Sequence, residues 1–493
     1  MTTDGCVGCD VGLAKRIMDV LPDEILLEIF DFNIIPEHAS YGSKRKVESW
    51  QPLVHVCRRW RNLVFGSPRR LNLRLYCTPK TPKDTLEVWP PLPLIVDNLT
   101  QSNSGTHWHN VIAALGQSNR VRVVSFSALS GWQLEEVLAV MQVPFPKLTD
   151  LRITSDCGTV PVIPDSFLNG SAPRPLLFFE LTGIPFPGLP NLLLSATHLV
   201  CLRLLKIPHS GYLSSESMAA LLSVLSSLTI FSLEFESPQS RPDSETRSLA
   251  QPKPSILPAL DIFCFKGVPE YLEVLVTFIE APRLDNIHIT FFDQIDFDCQ
   301  RLAQFISRTP ILSAPDEARV QFGDSTASLR LQYGTSVFRL GDSRLQIGIQ
   351  YRELDRQLLS IERVCNSSFH PLSTIKDLYI ERSYGELVWK NDAIENILWS
   401  ELLLPFTEVE NLYLSEEFAP DIAAALQELV EGRMTEVLPS LKNVFVEGLN
   451  SWGPVHEIIR QVAAARRRSG HPITISVWDI EPKTFIYCNM KWM

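Results

Sequence analysis

Apolar and polar residues alternate along this chain with different periods, and each period predicts its own kind of element. Near the amino terminus the spacing is helical. The apolar stripe there consists of Ile25, Leu26, Ile29 and Phe30. Pro22 stands before them at the first helical position, where a missing N–H costs no hydrogen bond. Asp23 and Glu24 follow in the first turn and complement the positive end of a helix, so the pattern predicts an amphipathic helix from residue 22.

A second helical pattern covers residues 50–64. Its apolar side is formed by Leu53, Cys57, Trp60 and Val64. Between the two patterns lies an insertion, residues 33–49, which contains the basic run Lys44-Arg45-Lys46. A region this short can hardly bury two apolar helix faces, so we expect one of them to face a partner.

From about residue 95 the period changes, and the pattern apolar-x-x-apolar-x-apolar returns roughly every 28 residues, except for one gap between Leu284 and Ile375 that is close to three units long. Its instances begin at Val121, Leu148, Leu176, Leu199, Leu228, Leu260, Leu284, Ile375, Val409 and Leu441. Each instance predicts a short buried strand. The segments between them, among them 214–225, 269–282 and 420–432, have helical spacing and begin with proline or serine. Repeated strand–helix units predict an α/β solenoid, in which each unit buries its apolar face against its neighbours.

Residues 315–351 follow another pattern, in which apolar and polar residues alternate strictly between glycine-containing turns. The alternating runs start at Val320, Leu329, Val337 and Leu345. Such runs are typical of a β-meander. Two arrangements fit the pattern: short returning strands replace the helices of the solenoid, or a small antiparallel sheet is inserted.

Composition narrows the class of protein. The chain has 493 residues, of which 45% are hydrophobic and 20% charged, with a net charge of −11 and a pI near 5.5. These values exclude wholesale disorder and argue against a nucleic-acid-binding body. No apolar run is long enough to cross a membrane, and the amino terminus lacks the basic and apolar regions of a signal peptide. The ten cysteines are scattered and predict reduced thiols, so we expect a cytoplasmic or nuclear protein.

No motif of a familiar enzyme is present, and we predict no catalytic residue, no metal and no cofactor. The sequence contains no HExxH, P-loop, GxSxG or GxGxxG. Cys6 and Cys9 have the spacing of a zinc knuckle, but structural zinc needs four ligands and no second pair follows nearby. His107 and His109 are two residues apart, which places them on different sides of a helix.

Two motifs near the amino terminus carry a resemblance, Leu21-Pro22-Asp23-Glu24-Ile25-Leu26 and Val56-Cys57-Arg58-Arg59-Trp60. Together they resemble the F-box, the module that docks substrate receptors onto the adaptor subunit of SCF-type cullin-RING ubiquitin ligases. The resemblance covers roughly Leu13 to Leu75. The insertion 33–49 is longer than the usual connection between F-box helices. The adaptor-binding residues that the resemblance implies are Leu21, Pro22, Glu24, Ile25, Leu26, Ile29, Phe30, Leu53, Cys57, Trp60 and Leu63.

These patterns predict that the chain has four parts. They are a disordered terminus (1–12), an F-box-like helical domain (13–75), a proline-rich connection (76–94) and a leucine-rich-repeat-like solenoid (95–493). The repeats resemble the leucine-rich type but lack that family's Asn or Cys at the fixed turn position. The implied function is substrate recognition within a ubiquitin ligase, and the implied partners are the adaptor, the cullin and an unidentified target protein.

Residues that contact the target are expected beside the predicted strands, on the face that solenoids usually present to partners. The candidates are Arg152, Arg203, Glu234, His288 and Tyr379. An alternative function is a protein-interaction scaffold outside any ligase, in which the amino-terminal helices cap the apolar end of the solenoid. Exposure separates the two functions, because docking needs an exposed apolar patch and capping would cover it.

Overall fold

The computed structural model describes residues 21–33, 50–68, 70–98, 107–155, 161–186, 189–238, 255–293, 299–309, 312, 314–332, 344–367, 372–383, 396–428, 436–447 and 454–478. The predictions for 1–12, for 34–49 and for the strand at Val337 fall outside these residues. The described residues form two compact units. The amino-terminal unit lies within Met1–Ser127 and Pro144–Leu148, and the repeat unit lies within Ala128–Val143 and Thr149–Thr484.

The amino-terminal unit contains short helices and three parallel strands. The helices are α1 (Asp23–Asn33), α2 (Gln51–Val56), α3 (Arg58–Gly66), α4 (Thr85–Val88) and α5 (Trp108–Leu115). The strands are β1 (Leu75–Cys77), β2 (Leu94–Asp97) and β3 (Val121–Leu129), of which β2 pairs in parallel with the other two. The predicted amphipathic helix is α1, with Asp23 and Glu24 in its first turn.

The prediction of a single helix over residues 50–64 is wrong, because the backbone is extended at Cys57 and this residue separates α2 from α3. The Cys57 thiol accepts a hydrogen bond from the Trp60 N–H, with a sulfur–nitrogen distance of 3.5 Å, so this residue caps α3. Its side chain is therefore exposed and does not continue the apolar face of Leu53. Helical spacing cannot show such a break, because a cap residue replaces one helix hydrogen bond by a side-chain bond without disturbing the apolar period.

The core of this unit joins the helices to the proline-rich segment that follows them. Its buried residues are Leu26, Leu27, Phe30, Trp50, Leu53, Val54, Val64, Leu71, Leu73 and Leu92. The Trp50 ring packs edge-on against Trp89 at 5.2 Å between ring centroids, and its Nε1–H donates to the Arg74 carbonyl at 2.8 Å. The Arg120 guanidinium donates to the carbonyls of Leu86, Pro90 and Leu92. The proline-rich segment is thus a packed part of the unit.

The repeat unit alternates strands with helices. Its strands are β4 (Asp150–Ser155), β5 (Phe178–Thr182), β6 (Cys201–Ile207), β7 (Ile230–Phe235), β8 (Ser255–Ile256), β9 (Ile262–Gly267), β10 (Ile279–Glu280), β11 (Asn286–Phe292), β12 (Glu317–Phe322), β13 (Ala327–Gln332), β14 (Leu345–Gln350), β15 (Asp377–Arg382), β16 (Asn411–Leu414), β17 (Asn443–Glu447) and β18 (Thr474–Trp478). Its helices are α6 (Gly131–Val140), α7 (Leu189–Leu194), α8 (Ser215–Leu222), α9 (Pro269–Val276), α10 (Gln300–Ser307), α11 (Leu354–Asn366), α12 (Asn396–Leu403), α13 (Ala419–Glu428) and α14 (Pro454–Arg468).

The predicted strand–helix repeat is confirmed. Every instance of the apolar motif gives a strand, and within the repeat unit the order across the main sheet is β4-β5-β6-β7-β9-β11-β14-β13-β12-β15-β16-β17-β18. β8 and β10 form a separate two-stranded pair. The helices begin as their sequences predict: Ser214 caps α8 by accepting from the Ser217 N–H at 3.2 Å, and Pro269 opens α9.

The two sides of the main sheet differ in burial because successive strand residues point to opposite sides. One side packs on the helices: Phe263 of β9 contacts Phe305 of α10, and Phe265 contacts Tyr271 of α9. The other side, which we call the open face, carries residues that are largely half-buried and polar or aromatic. Such alternation is what one buried and one solvated face require.

The meander predicted at 315–351 is built into the main sheet. β12 pairs in parallel with β15 and β14 pairs in parallel with β11, while β13 runs antiparallel between β12 and β14. Of the two arrangements that the sequence allowed, the structure therefore has returning strands within the solenoid. The buried Gln357 amide of α11 holds these returning strands by donating to the carbonyls of Gly323 and Tyr351, both at 2.7 Å.

Candidate docking site

Helix α1 presents an apolar stripe to solvent. Ile25, Ile29 and Phe32 follow the spacing i, i+4, i+7, which places them on one side of the helix. Their exposed fractions are 46%, 38% and 89%. A phenylalanine that exposed is unusual, since aromatic rings account for much of the apolar surface that proteins bury. We call these three residues the α1 stripe.

The opposite side of α1 is anchored in the core. Leu26 and Phe30 are fully buried, and the Phe30 ring meets Trp60 of α3 edge-on at 4.7 Å between centroids. The four-residue stripe predicted from the sequence is therefore divided, because neighbouring residues differ by about 100° around a helix axis. Leu26 and Phe30 hold the helix in place, while Ile25 and Ile29 remain exposed.

Arg59 fixes the start of α1. Its guanidinium donates to the Leu21 carbonyl and to the Asp23 carboxylate, both at 2.5 Å. Two bonds from one rigid guanidinium define the position of the chain at the helix start. Further along α1, Glu28 forms an ion pair with Arg70 at 2.5 Å. Because both ion pairs are solvent-exposed, their contribution is to orientation more than to stability.

The structure separates the predicted adaptor-binding residues into three groups. The buried ones are Leu26, Phe30 and Leu53. The half-buried ones, which pack against the core, are Leu21, Trp60 and Leu63. The exposed ones are Pro22, Glu24, Ile25, Ile29 and Cys57. Two further exposed apolar residues of this region, Phe32 and Val56, are not among the predicted ones. For Phe32 the helical spacing from Ile25 is the signal in the sequence.

A second candidate surface lies on the open face of the repeat unit. Four of the five predicted target-binding residues lie in one row across the strands: Arg152, Arg203, His288 and Tyr379. The register places each residue of this row opposite the next one on the neighbouring strand. In order across the sheet, the row consists of Arg152, Glu180, Arg203, Ser232, Cys264, His288, Gln346, Arg330, Arg319 and Tyr379. The fifth, Glu234, lies two residues further along β7, opposite Lys266.

One pair in this row has the composition of a catalytic dyad. Cys264 and His288 are direct neighbours on β9 and β11, and thiol nucleophiles commonly use an adjacent histidine. Burial, however, raises the pKa of the Cys264 thiol to about 11. The thiol is protonated at neutral pH, whereas a nucleophile needs a lowered pKa.

The part of the chain that the structure describes contains no cluster of three or more His, Cys, Asp or Glu residues that could hold a metal ion. Within the same residues, no helix has both the length and the apolarity needed to cross a membrane. Two surfaces of the described residues are candidates for binding: the apolar α1 stripe and the polar, partly aromatic open face.

Comparison with known proteins identifies the segment that carries the first surface. Residues 18–73 match the F-box-like family model, which confirms the resemblance of this segment. The leucine-rich repeat-containing protein LegL7 of Legionella pneumophila, known from a crystal structure, aligns over 80% of this chain and 98% of its own, with 12% sequence identity and a TM-score of 0.26. No match was found among curated proteins. The repeat architecture of the present chain rests on its own strand register.

Proposed function

We propose that this chain is the substrate-recognition subunit of an SCF-type ubiquitin ligase. The F-box-like segment would bind the adaptor, and through it the cullin, while the open face of the repeat unit would bind a target protein. This role needs no active site, because holding the target beside the transferring enzyme raises its effective concentration. It also suits the cytoplasm or the nucleus, where these ligases act.

The observation that carries the proposal is the α1 stripe within the residues that match the family model. Interfaces of standard size bury about 1,600 Å² in total, and a few apolar or aromatic anchors supply most of the energy. Ile25, Ile29 and Phe32 are such anchors on a helix whose other side is already fixed by Leu26 and Phe30. In the alternative function, a scaffold whose amino-terminal helices cap the solenoid, this stripe would be covered, and the binding experiment distinguishes the two functions.

Co-expression of the full chain with the adaptor subunit tests the proposal. We expect the adaptor to co-purify with the tagged chain in equal molar amount, and the cullin to join the complex when it is added. Leu21→Ala combined with Pro22→Ala should abolish co-purification, since both residues lie at the Arg59-anchored start of α1. Trp132→Ala, a change at an exposed aromatic residue of α6 in the repeat unit, serves as a control that should leave it intact. Absence of the adaptor from the wild-type preparation would contradict the proposal.

A further inference from the structure

Three aromatic rings form a stack on the open face, across strands β15, β16 and β17. The rings of Tyr379 and Tyr413 lie 4.2 Å apart with an angle of 7° between their planes. Tyr413 and Phe445 lie 4.6 Å apart with an angle of 9°. The register pairs these residues directly, so each ring covers the next. We call this group the aromatic stack.

A chain of hydrogen bonds holds the neighbouring row of side chains. The Asn411 amide donates to the Asp377 carboxylate at 2.7 Å, and the Asn443 amide donates to the Asn411 side-chain oxygen at 2.8 Å. The Thr474 hydroxyl continues the chain by bonding to the Asn443 side-chain oxygen. Side chains that are already ordered lose little entropy when a ligand binds, so the row beside the aromatic stack is prepared for recognition.

One end of the aromatic stack already holds a guanidinium. The Arg319 guanidinium lies 4.2 Å from the centroid of the Tyr379 ring. Two carboxylates balance its charge, Glu317 at 2.6 Å and Glu381 at 3.2 Å. An arginine stacked on a ring and paired with carboxylates is a stable arrangement, because the ring face is negative and the planar ion is weakly hydrated.

The other end of the stack has a different neighbour. The residue on β18 that pairs with Phe445 is Ser476, an exposed residue whose side chain is too small to cover a ring. Glu447 follows two residues after Phe445 on the same side of β17 and is half-buried. The second end of the stack therefore has a ring, Phe445, and a carboxylate, Glu447, as the first end does. Where the first end has Arg319 on the neighbouring strand, the second end has Ser476.

The charge around this end favours a cation. The pKa of Glu447 is raised, first by burial and then by the nearby carboxylates of Glu417, Glu381 and Glu416. Of these three neighbours, Glu381 pairs with Arg319 and Glu417 pairs with Arg382. Together with Glu416 they add negative potential at Glu447, which an incoming cation relieves and an incoming anion increases. The ring face has the same preference because of its quadrupole.

We propose that the Phe445 end of the aromatic stack binds an arginine side chain in a basic segment of the target protein. The arginine would stack on the outer face of Phe445 and pair with Glu447, as Arg319 stacks on Tyr379 and pairs with Glu381. The inference rests on the proposed function, in which the open face receives the target, and it names the chemistry of that target.

Fluorescence anisotropy with the full chain tests the inference. The probe is a fluorescein-labelled peptide of repeated Arg-Gly-Ser, compared with the same peptide carrying lysine or glutamate in place of arginine. We expect saturable binding of the arginine peptide, weaker binding of the lysine peptide and none of the glutamate peptide. Phe445→Leu should raise the Kd of the arginine peptide about tenfold, the size expected for a partly desolvated cation–π contact.

Matched variants separate recognition from folding. Phe178→Leu makes the same change at a half-buried ring elsewhere on the open face and should leave the Kd unchanged. Ser476→Arg places a guanidinium of the chain beside Phe445 and should block the peptide, whereas Ser476→Gln should not. Because Ser476 is exposed, neither change disturbs the core. An unchanged Kd in Ser476→Arg, or equal effects of Phe445→Leu and Phe178→Leu, would overturn the inference.

Binding of the adaptor, measured in the same preparations, distinguishes this inference from the proposed function. Adaptor binding without preference for the arginine peptide would refute the inference and leave the proposed function standing. Preference for the arginine peptide, lost in Phe445→Leu, supports the inference as a property of the open face even where the adaptor does not bind.

Discussion

Replacing Ile25 and Phe32 together by lysine is expected to weaken binding of the adaptor by about a hundredfold, since the proposed function makes each of them an apolar anchor of the size that dominates interfaces. Both side chains are exposed, so the lysines remain hydrated in the free protein, and lysine is a good helix former. In the complex the two ammonium groups would have to lose their water against an apolar surface. Calorimetric titration of the adaptor into the full chain measures the change in Kd.

Val88→Lys is the matched control for this pair. Val88 is 73% exposed and belongs to α4 of the same unit, outside the α1 stripe. Its replacement should leave the Kd within about twofold of wild type, because surface substitutions away from an interface have small effects. If Val88→Lys weakened binding as strongly as the pair does, a general charge effect would replace the α1 stripe as the explanation.

Replacing Phe30 by alanine is expected to lower the free energy of unfolding of the amino-terminal unit by about 3–5 kcal/mol, the usual cost of removing a buried ring. Phe30 has no exposed surface and contacts Trp60 edge-on, so its loss leaves a cavity between α1 and α3. Native-state hydrogen exchange of the amides in these two helices measures the loss. Adaptor binding falls as well, because the stripe depends on a folded α1.

Phe30→Leu distinguishes this structural role from direct contact. Leucine fills most of the cavity, so we expect a loss of about 1 kcal/mol and nearly normal adaptor binding. If the amides of α1 and α3 exchanged as slowly in Phe30→Ala as in wild type while adaptor binding was lost, Phe30 would instead be a contact residue, as the family resemblance implied.

Much of the fold could be predicted from the sequence because its signals are local. The apolar motif at Leu148 or Leu199 predicts a strand from residues next to one another, and Ser214 marks the start of α8 in the same way. The break at Cys57 could not be predicted, because a thiol that caps a helix and a cysteine that continues an apolar face have the same spacing.

The candidate sites could not be predicted without the tertiary structure. Ile25 and Leu26 are equally apolar, and only packing against Trp50 and its neighbours shows that Leu26 is buried and Ile25 exposed. The positions of Arg152 and Tyr379 relative to their strands followed from alternation. Their shared row did not, since it depends on a register that crosses more than two hundred residues and passes through the antiparallel strand β13.

The aromatic stack likewise could not be predicted from the sequence, because it depends on the register between strands. Tyr379, Tyr413 and Phe445 are separated in the sequence by entire helices, and nothing local distinguishes them from other half-buried aromatic residues. Parallel pairing without a shift in register places them in contact. The chemistry of the open face is therefore a product of repeat geometry.

Hydroxyl-radical footprinting of the full chain, with and without saturating adaptor, tests whether the adaptor docks on the α1 stripe. Phe32 is the most exposed of the three stripe residues and should be oxidised rapidly in the free chain. We predict that the adaptor protects Phe32 strongly and leaves Val88 unchanged. Unaltered oxidation of Phe32 in the presence of bound adaptor would show that the adaptor does not dock on the α1 stripe.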